Sequence, residues 1–445
     1  MKQTSVAQRG NPEMRQDGQS VDDIMAEFMR DHEVPGMAVA IVQAPYITRV
    51  TGYGVSDTAL KLLSSSNTLF NVGPIAEAYT AVAIMQLVEQ GRISLDDPIG
   101  KHVSPAPRRW AGLAIRQILQ KQDLPAGGEG PALLRSLIEK VAGQSYQEFV
   151  RAGQFEPLGL KHTFFASELE KFPQEPHGKF LHEATLINPT EIAVGEGGDS
   201  HATNIYASAG DISIWDIGLA GDILIKDPAL RKILYHSPAP REGKPITTSG
   251  PWHFPGHDGL MVTTGSEAGF SSLLSRFTNP QELVCVTLLA NKDGLDLTQL
   301  ARRIAGAYDP KTGPPPGTAG MRVQQSPYSV KETMDRLETA LKEKGGSIMA
   351  RIDHSQAAQK AKLPLPPTEE ILFGNPANGT LLMQANRAVA VDLPLRAVAW
   401  EDHGEVWLIA TDPVEIARRH QIDDLREETL RMRAGVDAAL LKAVQ

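Results

Sequence analysis

The spacing of apolar residues predicts a helix over residues 21–32, which Pro35-Gly36 ends. Two runs rich in β-branched residues follow at 37–42 and 49–53, and they predict an antiparallel hairpin. The segment 78–90 is apolar on nearly every side, which is typical of a helix buried inside a protein rather than one lying on its surface. The first hundred residues therefore predict a hairpin close to a buried helix.

A long middle section rich in helices and loops leads to two strands, at 270–277 and 283–290, and to a closing helix at 296–308. Proline and glycine then dominate the beginning of residues 309–327, which favours a semi-rigid linker. The expected organisation is a polar tail (1–20), a first domain (21–308), the linker (309–327) and a second domain (328–445).

The second domain has a different pattern, in which short strands lie between helices. An amphipathic helix is predicted at 330–344 and a C-terminal helix at 423–444. Strands are predicted at 347–352, 370–373, 388–391, 396–400 and 406–409. This order favours a compact α+β domain.

Composition and charge exclude several classes of function. The 445 residues carry a formal charge of −9 with no basic block, so neither a nucleic-acid nor a membrane partner is expected. The single cysteine, Cys285, excludes an internal disulfide and a cysteine-based zinc site. His253, His257 and Asp258 lie in a segment that predicts an irregular loop, so no metal and no cofactor are expected.

Two further observations concern location. No apolar run approaches the ~18 residues needed to cross a bilayer. Residues 1–20 contain no apolar segment of the kind found in signal peptides. A cytoplasmic location is therefore expected.

A series of short motifs runs through residues 21–308. In order these are PGMAVA (35–40), FNVG (70–73), AIMQLVEQGRISLDDP (83–98), IEKVAGQSY (138–146), PLGL (157–160), GFSS (269–272) and LLAN (288–291). The series resembles the serine β-lactamase and penicillin-binding-protein-like family, in its class C and esterase branch. The resemblance implies an α/β (α+β) β-lactamase/transpeptidase-like fold, in which helices flank an antiparallel sheet beside a helical subdomain, followed here by the small α+β domain.

The residues that the family uses for catalysis are missing from the matching positions. The family places a serine nucleophile at the start of the buried helix and a lysine one turn later, where Pro74 and Glu77 stand here. Its second motif, Tyr-x-Asn or Ser-x-Asn, falls at Ala126 and Gly128. Its third motif, Lys or His, then Ser or Thr, then Gly, reads Thr263-Thr264-Gly265, which keeps the glycine and loses the cation.

Five residues are candidates for a remnant cleft or a displaced active site: Glu77, Thr263, Thr264, Ser266 and Ser200. Ser200 is followed by His201, which offers a base, although neighbouring residues seldom point at each other. The alternative for Ser200 is a polar glycine-rich loop without a catalytic role. No Ser-x-x-Lys motif occurs anywhere in the chain.

A second series of motifs covers residues 328–422. It comprises ETMDRLE (332–338), IDHS (352–355), LFGNP (372–376), GTLLM (379–383), DLPLR (392–396) and WED (400–402). This series resembles the bacterial domain of unknown function 302, which implies no reaction. Asp353, His354 and Asn375 could converge on a small polar pocket. The alternative is that Asp353 caps the following helix and that His354 packs at the start of this helix.

The simultaneous loss of three motifs predicts a protein without serine hydrolase activity. Such a protein would bind a small molecule or peptide in the remnant cleft, or act through protein contacts, including a homo-oligomer. Two alternatives stay open. One is an active esterase- or amidase-like hydrolase that uses a displaced nucleophile, or Glu77 as a general base on water. The other places the activity in the C-terminal domain.

Overall fold

The computed structural model describes residues 14–43, 46–57, 61–126, 128–169, 205–235, 248–255, 257, 259–267, 269–279, 282–315, 317–318, 320–402 and 404–445. Contacts divide the chain into two compact units. The first comprises the described residues up to 313, without the short segment 255–258, and the second comprises that segment and the described residues from 314 onward.

An antiparallel sheet of eight strands forms the centre of the first unit, in the order β5-β4-β3-β13-β12-β11-β10-β9. The strands of this unit are β1 (Arg15–Gln16), β2 (Gln19–Ser20), β3 (Gly36–Gln43), β4 (Tyr46–Asp57), β5 (Leu62–Leu63), β6 (Phe70–Asn71), β7 (Thr163–Phe165), β8 (Ile205–Ala207), β9 (Thr248–Ser249), β10 (Trp252–His253), β11 (Leu260–Glu267), β12 (Phe270–Phe277) and β13 (Val284–Ala290). The hairpin predicted near residue 45 is confirmed as β3 paired with β4.

Helices cover both faces of this sheet. The helices of the first unit are α1 (Val21–Asp31), α2 (Ala76–Glu89), α3 (Arg108–Ala111), α4 (Ile115–Leu119), α5 (Gly130–Ala142), α6 (Tyr146–Val150), α7 (Glu156–Leu158), α8 (Ala166–Leu169), α9 (Ala209–Ala220), α10 (Pro228–Tyr235) and α11 (Thr298–Tyr308). Apolar residues of α1 and α11 share one core with one face of the sheet, and those of α2 and α9 share a second core with the other face. Because both faces are covered, β3, β12 and β13 are buried along their whole length.

Helix α2 is buried as its apolar pattern predicts, and polar side chains fix its position. Tyr79 packs against Trp215 with ring centroids 4.5 Å apart. The Gln154 side chain donates from Nε2 to Tyr79 O (2.9 Å) and accepts from Trp215 Nε1 (2.8 Å). Gln154 thus satisfies buried polar groups of α2 and α9 at once, which holds the start of α2 firmly in the core.

Part of the predicted polar tail is ordered. Strands β1 and β2 form a hairpin whose Gln16 is buried. A Cβ atom on Gly306 would lie 2.4 Å from Gln16 Oε1, so the glutamine side chain packs directly on α11. Residues 15–20 of the predicted polar tail therefore form a hairpin that packs on α11, and residues 1–13 lie outside the described part of the chain.

The second unit is a five-stranded antiparallel sheet in the order β14-β18-β17-β16-β15. Its strands are β14 (Met321–Ser326), β15 (Ser347–Asp353), β16 (Thr368–Gly374), β17 (Leu395–Asp402) and β18 (Glu405–Thr411). Its helices are α12 (Val330–Glu343), α13 (His354–Lys360), α14 (Pro376–Ala385), α15 (Pro413–Arg419) and α16 (Arg426–Val444). The apolar faces of α12 and α16 form one core with the sheet, which confirms the predicted α+β class.

Two sequence expectations for this unit differ from the structure. The predicted strand at 388–391 is a 3-10 helix, Arg387–Asp392. The side chain of Val389 in this helix is buried. Strand β14 lies within the range assigned to the linker and pairs with β18 over its whole length. Short apolar runs fit a strand and a helical turn equally well, and the pairing that decides between them is set by residues distant in sequence.

Among the described residues, every helix is too short or too polar to cross a lipid bilayer.

Candidate functional site

The start of α2 is a tight turn built around Gly73 and Pro74. Residues Gly73–Ile75 form a 3-10 turn that runs directly into the helix. Gly73 adopts φ +49°, a left-handed conformation that favours glycine, and its N–H donates to Asn71 Oδ1 at 2.8 Å. Proline suits a first helical turn, where its ring matches the helical φ. Pro74 is exposed and lies at the N-terminal end of the buried helix.

Strand β11 approaches this turn at Gly265. A Cβ atom at Gly265 would lie 2.5 Å from Ser272 Oγ, 2.7 Å from Val72 O and 3.0 Å from Pro74 Cδ. No side chain fits into that space, so the glycine allows the strand to lie directly against the start of the helix. The structure thus brings Pro74 and Gly265 together.

The side chain of Ser272 lies against this turn, and its hydroxyl already forms a hydrogen bond. Ser272 is buried, and its Oγ donates to Val72 O at 2.8 Å. Its hydrogen bond is to a backbone carbonyl, which is not a base that could activate the hydroxyl for attack. Ser272 serves to tie β12 to the turn.

Glu77 lies one helical turn after Pro74, on the same face of α2. Its Oε2 forms an ion pair with Lys121 Nζ at 2.6 Å, and the two side chains are 32% and 49% exposed. Lys121 follows α4, with φ +54°, and its N–H donates to Ile118 O at 3.2 Å. No signal in the sequence pointed to this residue, because no local motif relates Lys121 to a helix that precedes it.

Because both partners of this pair are partly exposed, its contribution to stability should be small. Replacing Glu77 by Gln, Lys121 by Met, and both together is expected to give a coupling free energy of about 0.5–1 kcal/mol in a double-mutant cycle. Urea unfolding measures it, and raising the salt concentration should reduce it. A coupling of zero would contradict the expectation that the pair contributes to stability.

Alternation along β11 separates the predicted cleft residues into two groups. Thr263 and Gly265 share the face of Met261, which packs in the core formed with α2. Thr264 and Ser266 are exposed and project from the other face, where Ser266 Oγ accepts from Gly294 N at 3.0 Å. Thr264 and Ser266 therefore lie on the face of β11 opposite the one that packs in the core with α2.

Thr263 stands where the resemblance implies a cation. Its side chain is 1% exposed. Its Oγ1 is buried and makes no hydrogen bond to any residue that the structure describes. A buried hydroxyl without a hydrogen-bond partner costs free energy, so Thr263 Oγ1 destabilises the folded chain at this position.

His253 lies on β10 and pairs with Val262 of β11. Burial and the positive charge of Lys121 lower the pKa of His253, so its imidazole is neutral at neutral pH. Within the described residues, no group of three or more His, Cys, Asp or Glu side chains could hold a metal ion. Asp258, the third member of the segment considered from sequence, lies outside them.

The remaining candidates of the first unit contribute no catalytic group to the described structure. Ala126 and Gly128 are exposed in the segment before α5, and neither offers a phenol or an amide side chain. Ser200 and His201 lie outside the described residues.

The second-unit candidates do not converge. Asp353 pairs with Glu369 at one end of the β15–β16 ladder, whereas Asn375 follows Gly374 at the other end. Asp353 Oδ1 accepts from Gln356 N at 2.8 Å and caps α13, which confirms the alternative that the sequence left open. His354 Nε2 lies 3.2 Å from Glu370 Oε2. The expectation of a joint pocket of Asp353, His354 and Asn375 is wrong.

The fold agrees with comparisons to known families. Residues 21–122 and 130–309 match the family model described as Beta-lactamase. The chain belongs to the beta-lactamase family. Residues 322–440 match the model described as Domain of unknown function DUF302. The segment between the two beta-lactamase ranges contains Ala126 and Gly128, where the family's second motif is expected.

Two curated relatives cover different shares of the chain. Fluoride-specific ion channel FluC 1 of Brucella suis is 48% identical over 105 residues, which are 23% of this chain and 41% of that protein. Protein flp of Staphylococcus aureus is 23% identical over 318 residues, which are 61% of this chain and 63% of that protein. The chain therefore spans less than two thirds of the length of either relative.

A solved structure shows the same fold. The octameric penicillin-binding protein homologue from Pyrococcus abyssi aligns with a TM-score of 0.55 at 17% sequence identity, over 88% of this chain and 99% of that one. The predicted β-lactamase/transpeptidase-like fold is confirmed.

Proposed function

We propose that the first unit of this beta-lactamase family member has lost serine hydrolase activity and acts by non-covalent binding. Pro74 carries the proposal, because it stands at the start of α2 where the resemblance places the nucleophile. Proline has no hydroxyl to acylate, and its nitrogen carries no hydrogen to donate to a developing oxyanion. One substitution removes two groups that acyl transfer needs.

The neighbouring charges support binding rather than catalysis. The family's lysine would take a proton from the serine, but Glu77 stands there and forms an ion pair with Lys121. Both side chains keep solvent access, at 32% and 49% exposure. Such a pair offers an acceptor and a donor side by side, which suits a ligand carrying both, as a peptide or a small polar molecule does.

The alternative of an active hydrolase has less support in the described residues. Ser266 projects from the face of β11 opposite the start of α2, and its Oγ accepts a hydrogen bond from Gly294 N. Ser272 donates to a backbone carbonyl. An experiment must exclude two versions of this alternative, in which Glu77 acts as a base on water or Ser200 acts as a nucleophile.

Covalent labelling tests the proposal. We expect the full chain to form no adduct with a fluorescent penicillin or a fluorophosphonate, as judged by intact mass, and to turn over p-nitrophenyl esters no faster than buffer. Pro74→Ala should behave as the native chain does, because position 74 contributes no nucleophile in either.

A class C β-lactamase treated in parallel shows that the probes are active. An adduct on a serine within residues 21–308 would overturn the proposal. Ester turnover that disappears in Ser200→Ala or Glu77→Gln would do the same and would identify the group responsible. Turnover that persists in both variants would direct the search to the second unit.

The assembly state is part of the proposal. The Pyrococcus abyssi homologue is described as octameric. We propose that this chain also forms a homo-oligomer, and light scattering on the full chain in solution measures its mass directly. A monomer at all concentrations would contradict this part alone.

A further inference from the structure

The second unit contains a cavity of about 800 Å³ between its sheet and its helices. The side chains that form its apolar walls include Met349, Phe373, Leu382, Leu393, Met432 and Val436. Sites that bind small organic molecules have volumes of roughly 300–1,000 Å³ and mostly apolar walls with a few polar groups. The size and the lining of this cavity both fall within that class.

Two glycines inside helices help to keep the cavity open. Gly379 lies within α14 and Gly435 within α16, and both line the cavity. Glycine inside a helix costs about 1 kcal/mol relative to alanine. Yet a Cβ atom on Gly435 would meet no heavy atom within 4 Å, and one on Gly379 would meet only Leu393 Cδ1, at 3.7 Å. Packing therefore does not demand glycine at either position, whereas a larger side chain would occupy the cavity.

A β-bulge places a flexible side chain at the edge of the cavity. The pairing of β15 with β16 shifts register between Ile348 and Ala350, so Met349 is the extra residue. Met349 is 52% exposed, and its Cε would lie 4.0 Å from a Cβ atom on Gly374. Because methionine adapts its shape to a partner, this side chain can close over apolar ligands of different outline.

The polar groups at the cavity favour a negative charge on the ligand. Lys344 lines the cavity and forms no ion pair with any residue in the described part of the chain. Asn375 Oδ1 accepts from Ala377 N at 2.9 Å, so its amide donors are the part of the side chain left to face a ligand. Aspartate and glutamate do not occur among the described residues that line the cavity.

We propose that this cavity binds an amphiphile with an apolar chain and a single anionic head, of the long-chain carboxylic acid type. The chain lies against the apolar walls, and the head lies near Lys344 and Asn375. Burial of the chain supplies most of the affinity, and Lys344 supplies the preference for the acid.

Fluorescence of cis-parinaric acid, an eighteen-carbon carboxylic acid, tests the proposal on the full chain. We expect saturable binding of one molecule per chain. Gly435→Leu should raise Kd at least tenfold, because its side chain would fill the cavity, while Gly435→Ala should raise it much less. Circular dichroism confirms that each variant is folded, and Gly379→Leu replaces Gly435→Leu if the latter is not.

The charge of the head is tested separately. Lys344→Ala should raise the Kd of the acid several-fold and leave that of its methyl ester unchanged. Lys342→Ala is the matched control, because Lys342 is paired with Glu338 at 2.7 Å and does not line the cavity. It should leave both values unchanged.

Three outcomes would overturn the proposal. The first is the absence of saturable binding, and the second is equal binding by the native chain and the folded leucine variant. The third is a dimer in sedimentation equilibrium that Gly435→Leu dissociates, which would mean that a second copy of the chain occupies the cavity. An equal effect of Lys344→Ala on acid and ester would reject the anionic head.

Discussion

Replacing Asp412 by Ala is expected to lower the free energy of unfolding of the second unit by about 3–5 kcal/mol. Asp412 accepts from Arg433 Nε at 2.9 Å and lies 2.8 Å from its Nη2, with the two side chains 3% and 4% exposed. The substitution would remove the Asp412 carboxylate from a guanidinium that stays buried. It would also remove the cap of α15, because Asp412 Oδ1 accepts from Val414 N at 2.8 Å.

The matched control for this prediction is Asp437→Ala. Asp437 also pairs with an arginine, with 2.6 Å between Arg322 Nε and Asp437 Oδ1, but the two side chains are 26% and 35% exposed. Its loss should cost about 1 kcal/mol or less. Hydrogen exchange of the full chain, followed by mass spectrometry on peptides from β18 and α16, compares the two variants. Equal losses of protection would contradict the distinction between buried and exposed pairs.

The sequence predicted those parts of the first unit in which local pattern and burial agree. Helix α2 is apolar on nearly every side and lies between the sheet and other helices, so its pattern fits only a buried helix. The closing helix, α11, was predicted for a similar reason, since one apolar face packs on the sheet. The positions of Pro74 and Glu77 at the start of α2 followed from the motif that precedes the helix.

The pairings that define the candidate site could not be predicted in the same way. Lys121 reaches Glu77 only because the fold brings the end of α4 close to the start of α2. The separation of Thr263 from Thr264 depends on which face of β11 meets the helix, and a short polar run does not reveal this. Contacts between distant residues decide both features, and a single sequence does not report them.

The cavity of the second unit illustrates a different limit. Gly435 lies inside the continuous helix α16, and in the sequence it stands out only as a residue of low helix propensity. The structure shows what distinguishes this glycine, because a Cβ atom at Gly435 would enter open space. Asn375 lines this apolar cavity rather than the polar pocket expected from the sequence, because Asp353 and His354 lie at the far end of the strand pair.

Replacing Gly265 by Ala is expected to destabilise the first unit by about 1–3 kcal/mol, because the added methyl group overpacks a close contact. The new Cβ would lie 2.7 Å from Val72 O and 3.0 Å from Pro74 Cδ. A backbone carbonyl and a proline ring cannot move aside as the end of a flexible side chain can, so the strand and the start of α2 must separate. Thermal unfolding of the full chain measures the loss.

Gly112→Ala is the control for Gly265→Ala, since Gly112 is exposed, has φ −87°, and a Cβ atom there would meet nothing within 4 Å. It should leave stability unchanged or raise it by about 0.4–1 kcal/mol. If Gly265→Ala were equally harmless, β11 would not lie against Pro74 in solution. The space at the start of α2 would then be wide enough to admit another hydroxyl in place of the one that Pro74 lacks.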